Sequence, residues 1–124
     1  MDSILVIDCN WNTLQDTYKM ICEVVSGVHV STFMEQNLAM KFIEKHPVGT
    51  VFIDLIHSGI QGILFAKEIL KVKTGINIIF IASSDEYSSY ALEMHASGYI
   101  KSPITLLKIK EELMNRRFQS MSEN

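Results

Sequence analysis

Residues 50–62 read TVFIDLIHSGIQG: an apolar run, Val51-Phe52-Ile53, ends in a carboxylate, Asp54, and a loop with two glycines follows. A short apolar run bounded by turn residues reads as a strand buried on both faces. Such strands belong to parallel sheets covered by helices. The residue that closes one stands at the sheet edge where these folds keep their sites.

Working outward, the apolar pattern changes period repeatedly. Further short runs at 4–7, 28–33, 76–81 and 99–100 read as strands, with 51–53 as the third of five. Helical spacing fills the gaps. Leu14, Tyr18, Ile21 and Val25 share one face, and Leu38, Ala39, Phe42 and Ile43 share another, closed by His46-Pro47. Ala66, Ile69 and Leu70 mark a third helix, ended by Gly75. Tyr87, Tyr90, Ala91 and Met94 mark a fourth. Leu106, Ile109 and Leu113 mark a fifth, begun after Pro103. Alternating strands and helices give an α/β fold of (βα)5 type, a doubly wound five-stranded parallel sheet. Right-handed crossovers favour the order 2-1-3-4-5, with a cleft at the carboxyl ends of strands 1 and 3.

Composition narrows the function classes. The 124 residues suit one domain, and 48% hydrophobic with 20% charged residues is a globular balance. A net charge of −3 gives no general attraction to nucleic acid or anionic membrane. Cys9 and Cys22 form neither a metal spacing nor a disulfide framework, so a cytoplasmic setting is expected. The start, MDSILVID, has an acid at position 2 and only a short apolar run, unlike a signal peptide or membrane span. The domain is expected over 1–118, with 119–124 a frayed tail or the start of a linker.

The carboxyl edge collects the chemistry. Strand 1 ends in Asp8, Cys9 and Asn10, and strand 3 in Asp54. Strand 4 ends in Ala82, Ser83 and Ser84, and strand 5 in Lys101 and Ser102 before Pro103. Asp8 and Asp54 would face one cleft, where two like charges need a cation, a proton or water. A lone strand-end acid is as readily a helix cap or a solvated loop residue. Two at the switch point favour a shared site. His57 is read as a solvated loop residue, with a metal-ligand or proton-relay role as the sharper alternative. Cys9 is read as a small, semi-buried filler rather than a redox thiol. A flavodoxin-like cofactor enzyme is disfavoured, because the strand-1 loop DCNWNT puts an acid where a phosphate would sit.

Over residues 3 to about 116 the chain resembles the receiver domain of two-component response regulators, which is CheY-like in fold. Asp54 with Gly62 eight residues later carries that likeness, as does the segment YSSYALEMHASGYIKSPIT, which is most similar to receivers attached to LytTR-type DNA-binding domains. The resemblance implies a phosphoryl group accepted on Asp54 and Mg²⁺ held by Asp8, Asp54 and the Ile56 carbonyl. It also implies a switch through Ala82 and Tyr99. It further implies a histidine kinase or other phosphodonor as partner and a homodimer through the helix 4, strand 5 and helix 5 face. A C-terminal DNA-binding domain outside this chain, and no enzymatic activity beyond self-phosphorylation and autodephosphorylation, complete what it implies.

Three positions depart from the family pattern. Its second strand-1 acid, a Mg²⁺ ligand, falls on Cys9. Its strand-4 hydroxyl falls on Ala82, for which Ser83 is the nearest substitute, and its lysine falls on Ser102. Lys101 is one residue away, which on a strand reverses the side chain. Mg²⁺ binding is therefore expected to be weakened. Moving a switch from 1:99 to 99:1 takes about 5.5 kcal/mol. The missing lysine and hydroxyl bonds are worth roughly 1.5–3 and about 1 kcal/mol. Two readings stay open: a receiver with an incomplete phosphoacceptor site, and a pseudo-receiver serving as a phosphorylation-independent interaction or dimerisation module.

Overall fold

In each strand, residues of one parity point to one helical layer and those of the other parity to the second, and the three central strands are buried on both faces. A computed structural model describes residues 3–116. The order is β1 (Ser3–Ile7), α1 (Trp11–Val24), β2 (Val30–Phe33), α2 (Gln36–Lys45), β3 (Val48–Asp54), α3 (Ile60–Val72), β4 (Asn77–Ala82), α4 (Ser88–Glu93), β5 (Gly98–Lys101) and α5 (Leu106–Met114). The sheet is parallel, in the order β2-β1-β3-β4-β5 expected above. The expected boundary at 118 and the tail 119–124 lie outside the described residues.

Leu5, Ile7, Val51, Ile53, Ile78 and Phe80 pack against α2, α3 and α4 in one core. Ile4, Val6, Phe52, Ile79, Ile81 and Ile100 pack against α1 and α5 in the other. Phe52 and Phe80 are fully buried on opposite faces. Each contributes about 1.5–3 kcal/mol by removal from water.

The helix ends follow local chemistry. Asn10 caps α1 by accepting the Thr13 N–H at 3.1 Å, and Thr105 caps α5 by accepting that of Lys108 at 3.1 Å. His46 leaves the helical region before Pro47, as its position dictates. α4 is shorter than its periodicity suggests: Tyr87 and Met94 flank a six-residue helix rather than lying within it. Likewise Val28 and His29 precede β2, which begins at Val30. Among the described residues no helix is long and apolar enough to cross a membrane.

The register fixes the site. Ile7 is level with Ile53, and Asp54 with Ile81. Asp8 and Asp54 therefore leave adjacent strands at the same level.

Candidate functional site

Asp8 and Asp54 are both buried, each only 4% exposed. Each is oriented by its own loop. The Asp8 carboxylate accepts the Asn10 N–H on Oδ1 at 2.9 Å and the Thr13 hydroxyl on Oδ2 at 2.5 Å. Thr13 sits on the first turn of α1, so the cap that starts that helix also holds the acid. Burial pushes the Asp8 carboxyl above its ordinary range, and the nearby Asp54 adds to this. The Thr13 and Asn10 hydrogen bonds and His57 oppose it.

Asp54 Oδ2 accepts the backbone N–H of His57 at 2.9 Å and lies 2.9 Å from His57 Nδ1. The same ring nitrogen is 3.5 Å from Asp8 Oδ1. Among the described residues no hydrogen bond reaches Asp54 Oδ1. The Ser58 hydroxyl donates to the Asp54 carbonyl, and Gly59 N–H to that of Leu55 at 2.8 Å, which folds the turn back over the strand end. Gly59 enters α3 at φ +56°, where the Tyr87 hydroxyl lies 3.0 Å from where a Cβ would stand. His57 is an exposed loop residue as expected from sequence, but it is also tied to the site. Its side chain is 31% exposed and sits against both acids.

The other expected participants divide. Cys9 is exposed, not semi-buried, although it borders the acidic cleft. Ala82 is buried at the end of β4. Ser83 is exposed and lines an adjoining depression of about 260 Å³ with Ile56, His57 and Ala82. The cleft holding Asp8 and Asp54 measures about 330 Å³, and His57 and Ser58 border both spaces. Ser102 is exposed, its N–H donating to the Ala82 carbonyl at 2.8 Å. Lys101 is exposed and pairs with Asp85 at 3.2 Å instead of reaching the acids. Tyr99 donates its hydroxyl to the Ser84 carbonyl at 2.7 Å, and its partial burial raises the phenol above its ordinary range.

Asp8, Asp54 and His57 form a cluster in which one donor atom from each lies within 4.8 Å of the others. Mg²⁺ calls for six hard oxygens in a near-regular octahedron. Among the side chains the third donor is an imidazole nitrogen, and Cys9 stays out of the cluster. As a side-chain set, two carboxylates and an imidazole match Mg²⁺ poorly. An N,O set of this kind suits a borderline divalent ion better.

Comparison with known proteins agrees with this architecture. A family model described as the response regulator receiver domain matches residues 4–114. Over 88 residues the chain is 28% identical to an uncharacterized response regulatory protein of Vibrio cholerae, covering 70% of this chain and 34% of that one. Over 100 residues it is 25% identical to the transcriptional regulatory protein YpdB of Escherichia coli, covering 81% of this chain and 41% of that one. The chain thus spans less than half the length of these relatives. Among solved structures, a receiver domain protein from Clostridium thermocellum superposes with a TM-score of 0.80 at 22% identity, covering 93% of each chain. The response regulatory domain of protein mrkE from Klebsiella pneumoniae gives 0.78 at 22% identity, covering 90% of this chain and 92% of that one. At such identities the likeness shows the fold.

Proposed function

The chain belongs to the response regulator receiver domain family, and from that premise we infer that it takes a phosphoryl group on Asp54 at an incomplete site. The observation that carries this reading is the asymmetry of the Asp54 carboxylate: Oδ2 is held twice by His57, while Oδ1 takes no hydrogen bond among the described residues. An oxygen so held keeps the carboxylate in one orientation, and the free oxygen can attack. With acetyl phosphate as donor, Oδ1 forms a bond to phosphorus, the bond from phosphorus to the acetate oxygen breaks, and acetate leaves. The product is an aspartyl phosphate.

The site is incomplete because Ala82 brings no hydroxyl and Ser102 no ammonium, while Lys101 is engaged by Asp85. Phosphoryl transfer rests on positioning and charge neutralisation, and His57 is the donor at hand. Mg²⁺ is held weakly in this reading, since only Asp8, Asp54 and the Ile56 carbonyl offer it oxygen. The partners that follow are a cytoplasmic histidine kinase or another phosphodonor, a second copy through the α4, β5 and α5 face, and a C-terminal DNA-binding domain beyond this chain. LytTR-type regulators are the relatives this segment resembles. Beyond accepting and losing the phosphoryl group, no catalysis is assigned.

A second reading has its own support. Tyr99, the switch aromatic of the resemblance, is tied to the Ser84 carbonyl, and two donors that would reward a phosphoryl group are missing. On this reading the domain is a pseudo-receiver that binds partners or dimerises without phosphorylation. Acetyl phosphate or beryllofluoride, followed by intact mass and amide NMR, separates the two. An adduct that disappears in Asp54→Asn supports the first reading. Its absence at saturating donor supports the second.

A further inference from the structure

The donor set at the cleft disagrees with the hard, all-oxygen ion of the resembled family, and we propose that Asp8, Asp54 and His57 form a binding site for a borderline divalent transition ion of the Zn²⁺ class. This rests on the same cleft carrying the domain's chemistry, as inferred above, but not on phosphorylation taking place.

Geometry supports it first. Ligand atoms about 2.0–2.2 Å from a common ion, at angles between octahedral and tetrahedral, lie about 2.9–3.5 Å apart. His57 Nδ1 is 2.9 Å from Asp54 Oδ2 and 3.5 Å from Asp8 Oδ1. The ring nitrogen thus stands at ligand spacing from both carboxylates before any ion arrives. An ion there replaces the ring's contact with Asp54 and leaves the backbone N–H of His57 on Oδ2.

The surroundings support it second. Metal-ligating carboxylates are themselves hydrogen-bonded by groups that fix their direction. Asp8 has two such groups from outside the cluster, the Asn10 N–H and the Thr13 hydroxyl, and Asp54 has the His57 N–H. Both acids are buried while His57 is partly exposed, and the cleft of about 330 Å³ gives an entry path and room for water to complete the coordination. Charge supports it third. Two buried carboxylates share the cleft with the His57 ring and no lysine, an arrangement that favours a divalent ion. Ligand chemistry then chooses the ion. Imidazole suits Zn²⁺, Cu²⁺ and Ni²⁺, and at mixed sites affinity rises along the first-row series.

The test uses the untagged full chain with no phosphodonor present, so its outcome is independent of whether Asp54 accepts phosphate. Isothermal titration with Zn²⁺ and with Mg²⁺, and visible absorption with Co²⁺ as the probe, are compared across variants. One Zn²⁺ per chain is expected, bound at least ~100-fold more tightly than Mg²⁺, with Co²⁺ giving absorption bands of a nitrogen-containing site. His57→Gln is expected to weaken Zn²⁺ by ~10–100-fold or more. His57→Asp, which restores a third carboxylate, is expected to narrow the Zn²⁺ to Mg²⁺ ratio. Cys9→Ser is expected to change nothing. Circular dichroism on each variant confirms that it is folded. The proposal is overturned if Mg²⁺ binds as tightly as Zn²⁺, if His57→Gln binds Zn²⁺ unchanged, or if Cys9→Ser abolishes binding. The last result would move the site to the thiol.

Discussion

His57 and Asp54 are joined twice at one oxygen: the backbone N–H and ring Nδ1 of His57 both lie 2.9 Å from Asp54 Oδ2. The sequence separation of three is what a tight turn spans. The turn places the ring over the end of β3, within reach of Asp8 as well. One side chain therefore faces both acids of the cleft, and the consequences of that position can be measured.

Removing the ring while keeping the turn should slow chemistry at Asp54. In His57→Ala the backbone N–H still reaches Oδ2, but the ring donor is lost. A hydrogen bond to a charged group is worth about 1.5–3 kcal/mol. Labelling by acetyl phosphate, followed by intact mass, should then slow by roughly ten- to a hundredfold. An unchanged rate would mean that the ring takes no part.

Asp8 should make stability depend on pH in the direction opposite to most carboxylates. Burial raises its folded pKa above the ordinary value of 3.8. The folded chain therefore holds a proton that the unfolded chain has already lost. Stability contributed by this group is present below that value and falls as pH rises towards the raised one. Asp8→Asn removes the effect while its amide can still accept the Asn10 N–H and donate to Thr13. The expected result is a Tm about 2–6 °C higher at pH 7, with the difference shrinking towards pH 3.5. A variant less stable at pH 7 would contradict this account.

These two acids and the sheet that carries them were legible because the strands alternate cleanly. Ile4 and Val6 enter one core, Leu5 and Ile7 the other, and helical spacing fills the gaps. The bounds of α4 were not legible, because Tyr87 and Met94 keep helical spacing while acting as its flanks. The tie of His57 to the site was not legible for a different reason. Its meaning depends on a backbone turn that returns an i+3 ring to the acid, and hydropathy does not record turns. The available signal was the pair Asp54 and His57 spaced by three at a strand end, followed by Ser58 and Gly59, residues that favour turns. The exposure of Cys9 depends on how the loop leaves β1, which residue type alone does not encode.

Gly62 should resist any side chain. A Cβ there would lie 2.6 Å from Leu55 Cδ2 and also strike the Ser58 hydroxyl, the group that donates to the Asp54 carbonyl. Overpacking of this sort costs about 1–3 kcal/mol. Gly62→Ala should lower the urea midpoint accordingly and broaden the amide signals of residues 54–58. Gly75 offers a control, since nothing lies within 4 Å of its would-be Cβ.

Restoring the absent donors should convert a weak response into a strong one. Ala82 ends β4 level with Lys101 of β5, and Ser102 follows that lysine. A hydroxyl at 82 and an ammonium at 102 are the groups that would bond a phosphoryl oxygen on Asp54 in the resembled family. Together they are worth roughly 2.5–4 kcal/mol, against about 5.5 kcal/mol for a full switch. The double variant Ala82→Ser with Ser102→Lys should therefore give a beryllofluoride adduct whose amide shifts extend from Asp54 to Tyr99 and α4. The parent chain should show shifts near Asp54 only. Ser102 is exposed, so the lysine enters without disturbing the core, whereas Ala82 is buried and calls for the small serine. If the parent already shifts Tyr99 to the same extent, His57 alone suffices to drive the switch. If the double variant forms its adduct and Tyr99 stays still, the tie between its hydroxyl and the Ser84 carbonyl is what blocks the signal. Adding Tyr99→Phe would then release it.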